Sequence, residues 1–209
     1  GGTGTNFGYS AAADLFGNVY LAGRANSATG IASGGFQNTF GGGAYDAFLV
    51  KFSATGARLW ATYYGGAGED YGYSAVTDAV GNVYLTGNTA SATSIASGGH
   101  QNIYGGSGGS YGDAYLVKFN SAGVRQWATY YGGTGDDVGR SLNADPSGNV
   151  YLAGWTNSAA GIASGGFQNM YGGGVIYDAI LVKFNGGGSP LWATYYGGAG
   201  TDYGSVATD

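Results

Sequence analysis

Apolar and aromatic side chains fall along this chain in short runs with an every-other-residue pattern, set apart by glycine-rich stretches. No stretch carries the roughly 3.6-residue period of an amphipathic helix. Strands are therefore expected, the first four at about Phe7 to Asp14, Asn18 to Arg24, Asp46 to Phe52 and Arg58 to Tyr64. On the third, Phe48, Val50 and Phe52 point one way and Ala47 and Leu49 the other, so both faces are apolar and both need cover.

The pattern then repeats. Trp60 to Gly66, reading Trp-Ala-Thr-Tyr-Tyr-Gly-Gly, recurs unchanged at Trp127 to Gly133 and at Trp192 to Gly198. Gly17 to Leu21 returns at Gly81 to Leu85 and Gly148 to Leu152, and Asp46 to Phe52 returns at Asp113 to Phe119 and Asp178 to Phe184. Three interlocked ladders define units at 1–64, 65–131 and 132–196, with 197–209 beginning a further one. The first two strands of each unit are joined through Asp14 to Asn18, Asp78 to Asn82 or Asp145 to Asn149. The Asp accepts N–H bonds at the turn start and the Gly takes positive φ, so these acids are expected to be turn formers. About twenty residues separate the second strand from the third, and they carry Ile31 to Asn38, matched at Ile95 to Asn102 and Ile162 to Asn169.

Four-stranded antiparallel units in series are what a β-propeller needs, each blade packing its face on the next; an open β stack is the alternative. A blade face presents roughly 300 Å². At about 25 cal/mol/Å², each uncovered face forfeits roughly 7 kcal/mol. Two open faces rival the roughly 5 to 15 kcal/mol stability of a whole domain. The expected fold is thus all-β, three four-stranded antiparallel blades plus the first strand of a fourth. It forms part of a larger ring, completed by further blades of the same polypeptide or by identical chains. The last segment, Tyr203-Gly204-Ser205-Val206, is shorter than Tyr71 to Ala75, and the longer polypeptide is the preferred expectation.

Composition narrows the function classes. Gly makes up 46 of the 209 residues but follows no three-residue period, which excludes a collagen-like chain. Absent cysteine excludes disulfide scaffolds and cysteine-ligated metals. A net charge of −5 speaks against nucleic acid as a partner. No apolar run reaches the roughly 18 residues of a membrane-spanning helix, and no membrane insertion is expected.

The order Tyr-Gly-Tyr-Ser, Asp-x-x-Gly-Asn-Val-Tyr-Leu, Asp-Ala-Phe-Leu-Val-Lys-Phe, Trp-Ala-Thr-Tyr-Tyr-Gly-Gly resembles the bacterial SBBP β-propeller repeat over all three units. The form with Ile-Ala-Ser-Gly-Gly-x-Gln-Asn is similar to copies in large secreted or surface proteins of Bacteroidetes-like bacteria. The resemblance implies an extracellular or cell-surface setting and no common enzymatic activity.

Among candidate chemistries, Gly65-Gly66-Ala67-Gly68-Glu69-Asp70, repeated at Gly132 to Asp137 and Gly197 to Asp202, matches the G-G-x-G-x-D of calcium-binding rolls. A stacked roll cannot form from copies this far apart in sequence. Each motif is either an inter-blade loop whose Asp caps backbone groups or an isolated Ca²⁺ site using Glu69, Asp70, Asp136, Asp137 and Asp202. No other cofactor is expected. Lys51, Lys118 and Lys183 recur on the third strands and are expected to answer a repeated Asp of their own or the next blade. His100 stands where the other units have Phe36 and Phe167, as a packing aromatic. With no Cys and no repeated Ser, His and acid trio, no catalytic residue is assigned.

In an up-and-down blade the second-to-third loop and the loop to the next blade share one end. That end gathers Gln37, Asn38, Gln101, Asn102, Gln168 and Asn169 with the aromatics Phe40, Tyr104 and Tyr171. Amides beside rings suit glycans, and equally the Gln and Asn can tie down their own loops. The functional expectation is a non-enzymatic structural or interaction segment. A glycan-binding or adhesin module is one alternative, and a non-catalytic part of a secreted hydrolase another.

Overall fold

A computed structural model describes residues 1–106, 110–173 and 177–207. Twelve strands, β1 (Asn6–Ala13), β2 (Val19–Ala25), β3 (Asp46–Phe52), β4 (Arg58–Tyr64), β5 (Asp70–Thr77), β6 (Val83–Thr89), β7 (Asp113–Phe119), β8 (Arg125–Tyr131), β9 (Asp137–Ala144), β10 (Val150–Thr156), β11 (Asp178–Phe184) and β12 (Pro190–Tyr196), follow in order. They form three four-stranded antiparallel sheets, each a meander of consecutive strands. The described residues contain no helix. The fold is all-β and built of propeller-type blades.

The hairpins close as the turn chemistry requires. Asp14 Oδ1 accepts from the N–H of Phe16 at 3.0 Å and of Asn18 at 2.9 Å, and Gly17 takes φ 79°. Asp78 and Asp145 hold their turns in the same way, accepting from Asn82 and Asn149. The third-strand lysines answer these acids within their own blade: Lys51 to Asp14 at 3.8 Å, Lys118 to Asp78 at 3.9 Å and Lys183 to Asp145 at 3.8 Å.

Adjacent blades stack face to face. β5 lies against β1, β2 and β3, and β9 against β5, β6 and β7. One core joins Tyr20, Leu49, Trp60 and Tyr64 of the first blade to Leu85, Tyr115, Val117 and Phe119 of the second. Another joins Tyr84, Leu116, Trp127 and Tyr131 to Leu152, Ile180, Val182 and Phe184. Each junction is also tied by polar groups. Trp60 Nε1 and Lys51 Nζ both donate to Ser121 O at 3.1 Å, and Trp127 Nε1 and Lys118 Nζ both donate to Gly186 O at 3.1 Å. The indole lies so close to the next blade's turn that a β-carbon at Gly123 would meet Trp60 at 2.9 Å, and one at Gly188 would meet Trp127 at 2.8 Å.

First strands also hold one another. Ser10 Oγ accepts from Ala75 N at 3.1 Å and Ser74 Oγ from Leu142 N at 3.0 Å. Residues 202–206 take the corresponding place after the third blade: Asp202 N donates to Tyr177 O at 2.8 Å and Val206 N to Ser141 Oγ at 3.3 Å. With no second strand beside it, this segment forms no ladder, so the expected first strand of a fourth blade is docked but not a regular strand. Its last two positions, 208–209, lie outside the described residues.

Candidate functional site

The long second-to-third loop runs along the outer edge of its own blade. Ser33 exchanges backbone bonds with Ala61 at 2.9 Å, and Gln37 O accepts from Tyr63 N at 2.9 Å; Ser97 and Gln101, and Ser164 and Gln168, do the same on β8 and β12. The repeated Ile-Ala-Ser-Gly-Gly-x-Gln-Asn thus covers an edge strand that would otherwise offer unpaired backbone. Its amides are engaged inside the loop. Gln37 Oε1 accepts from Gly65 N at 3.2 Å and its Nε2 donates to Thr39 O at 3.0 Å, while Asn38 Nδ2 donates to Gly35 O at 3.1 Å. Gln101, Asn102, Gln168 and Asn169 repeat these bonds. Phe40, Tyr104 and Tyr171 pack their rings 5.8, 5.7 and 5.9 Å from Tyr63, Tyr130 and Tyr195.

The acids of the glycine-rich loops go to separate tasks. Asp70, fully buried, accepts from Gly66 N at 2.9 Å, from Ser91 Oγ at 2.8 Å and from the Thr89 hydroxyl; Asp137 does the same with Gly133, Ser158 and Thr156. Asp136 accepts from the N–H of Ser110, Tyr111 and Gly112, Glu69 from Tyr71 Oη at 2.6 Å, and Asp202 from Gly198 N at 3.2 Å. Among the described residues no three metal-ligating side chains come together. A different pairing emerges instead. A β-carbon at Gly65 would stand 2.6 Å from Asp70 Oδ2 and 2.8 Å from Asp46 Oδ1, which is buried with no hydrogen-bond partner. Asp113 and Asp137 flank Gly132 in the same manner. Burial, and then the neighbouring Asp70, push the Asp46 carboxyl up to about 7; burial, and then Asp113, raise Asp137 to about 7. Only a residue without a side chain can pass between these acids.

His100 is exposed, its ring 6.5 Å from that of Tyr131. It borders a cavity of about 470 Å³ with Pro190, Leu191 and Trp192. In the preceding junction Phe36 packs on Phe119 at 6.3 Å, with the Arg125 guanidinium 4.4 Å above its ring.

The concentration of chemistry that the sequence reading missed lies where first strands meet the long-loop end. Phe7 and Tyr9, two apart on β1, share a face and stack at 6.3 Å; Tyr71 and Tyr73 stack at 5.9 Å on β5. The Arg24 guanidinium sits 4.3 Å from the Tyr45 ring and 4.7 Å from both Phe7 and Tyr71. Arg140, at the unit position of Tyr9 and Tyr73, lies 4.3 Å over the Tyr73 ring, and these three line one cavity of about 430 Å³. Beside it Tyr73, Arg140, Tyr111, Trp155, Tyr177 and Tyr203 bound a cleft of about 640 Å³. Trp155 is its hub, 4.0 Å from Tyr177, 5.1 Å from Tyr111 and 6.4 Å from Tyr203. The signal that could have found it is loss of repetition: Arg24 answers Asn88 and Trp155 in the other units, and Arg140 answers two tyrosines.

Compared with curated proteins, the chain is 26% identical over 180 residues to an uncharacterized WD repeat-containing protein, L264, of Acanthamoeba polyphaga mimivirus, covering 79% of this chain. It spans 13% of that protein's length. Residues 59–95 and 126–160 match the family described as SBBP, beta-propeller repeat. Each matched segment, similar to the SBBP β-propeller repeat, runs from the outer strand of one blade through the first two strands of the next, across the junctions where Trp60 and Trp127 dock.

Proposed function

We propose that this chain is a non-catalytic interaction segment of a β-propeller, whose task is to join further blades and complete a ring. One observation carries the reading: its two open faces are the two unlike halves of the junction it makes twice internally. On the third blade, Lys183 and Trp192 are partly uncovered and Tyr196 is 70% exposed, where Lys51, Trp60 and Tyr64 of the first blade lie buried beneath a neighbour. On the first blade, the counterpart of the receiving Ser121 and Gly186 carbonyls is Ala54 O, and a β-carbon at Gly56 would meet nothing within 4 Å. The donors and the acceptor of a third junction both stand ready, at opposite ends.

The occupant is a blade of the same repeat. For this chain in isolation it is a second copy, and two copies of three blades make six, within the roughly four to eight of closed propellers. Sedimentation velocity tests this. A dimer dispersed to monomer by Trp192→Ala with Tyr196→Asp, both on an exposed face, is the expected result; a monomer at every concentration, with Trp192 open to an aqueous quencher, overturns closure by copies. The setting we propose is extracellular or at a cell surface, on the resemblance of the motifs to repeats of such proteins. Protease shaving of intact source cells checks it: release of the chain's peptides is expected, and protection until lysis refutes it.

A further inference from the structure

The geometry points to the aromatic and arginine cleft at the long-loop end as a binding site for an acidic saccharide, a pyranose chain bearing a carboxylate. The inference goes beyond ring completion and does not depend on it.

The first step is an account of the cations. Of seven Lys and Arg, three lysines pair with turn acids of their own blades. Arg58 and Arg125 donate to Ile31 O and Ile95 O, each at 3.2 Å. The two that remain, Arg24 and Arg140, both stand in the aromatic cluster, and neither makes an ion pair or hydrogen bond among the described residues. They differ in role. Arg24 is enclosed by Phe7, Tyr45 and Tyr71, with its Nε buried and unpartnered, and holds the rings together. Arg140 is exposed, stacked on Tyr73 by one face, its N–H fork free to meet a carboxylate.

The second step is what surrounds that fork. Tyr111, 40% exposed, and Tyr203, 67% exposed, present rings and hydroxyls to the cleft, set in place by the buried Trp155. Ser205 adds a hydroxyl, while Ser141 Oγ is taken up by Val206. Rings that cover apolar sugar faces, hydroxyls that meet sugar hydroxyls and one bidentate cation together match a uronate better than a neutral glycan or an apolar ligand. One exposed guanidinium matches one carboxylate presented among sugar rings rather than the phosphate row of a nucleic acid, which needs clustered cations.

Isothermal titration of this chain with tetragalacturonate, and with its fully methyl-esterified form, tests the proposal. Binding of the acid, weakening from about 50 mM to about 500 mM NaCl, is expected. Arg140→Met should weaken it at least about tenfold, Arg140→Lys less, and the ester should bind the unchanged protein about as weakly as the acid binds Arg140→Met. Tyr203→Ala, an exposed change, should weaken acid and ester alike. No binding of the acid, equal binding of the ester, or indifference to Arg140→Met overturns the proposal. So does equal binding of a tetraglutamate or a short oligothymidylate, which would reveal recognition of charge without sugar. Sedimentation reads the ring and titration reads the cleft, so either idea can fail alone.

Discussion

Tyr131 in the middle blade and Tyr196 in the last occupy the same place in the same heptapeptide, yet the first is 3% exposed and the second 70%. Trp127 gives its indole N–H to Gly186 O, while Trp192 lies on a face with no following blade. Local sequence is identical, so the difference belongs to the neighbour. A blade of this repeat completes its core with side chains of its neighbours, and the middle blade shows what the outer two are built to receive.

The comparison can be broken most forcefully by truncating matched residues. Tyr131→Ala should destabilise the chain by about 3 to 5 kcal/mol in urea denaturation, as large buried aromatics do. Tyr196→Ala should change stability by no more than about 0.5 kcal/mol in the monomer. Equal losses at the two positions would mean that the last face is already covered.

Acidity gives the next largest effect. The Asp46 and Asp137 carboxyls, each held at about 7, and Asp70 and Asp113, each at about 6, all titrate above the ordinary value of 3.8. The fold therefore favours their protonated forms: the stability they confer is complete below about pH 4 and is lost as pH rises through about 7. Thermal unfolding should show a higher midpoint at pH 5 than at pH 8, and Asp46→Asn should flatten the slope. A midpoint that rises with pH across this range would contradict the assignment.

A smaller effect separates the two internal junctions. The first fills its outer end with Phe36, Phe119 and Arg125; the second has His100 and Pro190 there and a cavity of about 470 Å³. His100→Phe with Pro190→Arg should rebuild the stack and add about 0.5 to 1 kcal/mol. No gain would show that the stack is incidental. Smallest of all is calcium: with Asp70 and Asp137 hydrogen-bonded internally, millimolar Ca²⁺ or chelator should leave the unfolding midpoint within about 1 °C.

The blades were legible because repetition showed each strand three times and because turn chemistry is local. Asp46–Phe52 and Arg58–Tyr64 form as read, and the first two strands are displaced by one residue. That the Gln and Asn tie down their own loops was one of two readings, but the loop's cover of the edge strand was not legible, since Ser33 and Gln37 find Ala61 and Tyr63 only after the sheet exists. The two readings of the calcium-like motif could not be separated in sequence for a physical reason. Its glycines serve close passage between paired acids, and its Asp binds hydroxyls of a strand nineteen or more residues away. Arg24 and Arg140 were not legible because each stands alone at its unit position, where the other units carry different residues.

The row of first-strand serines gives the assembly a direction. Ser10 receives an amide of the second blade, Ser74 one of the third, and Ser141 holds Val206. Each of these serines accepts from the module that follows, whereas the hydroxyl that reaches back across the first junction, Thr77 Oγ1 to Ala13 O at 2.8 Å, is a donor, so the two sides of a junction are unlike. Accretion is therefore vectorial, with a leading and a trailing terminus as in a polar filament, and a chain entering in reverse order would find no latch.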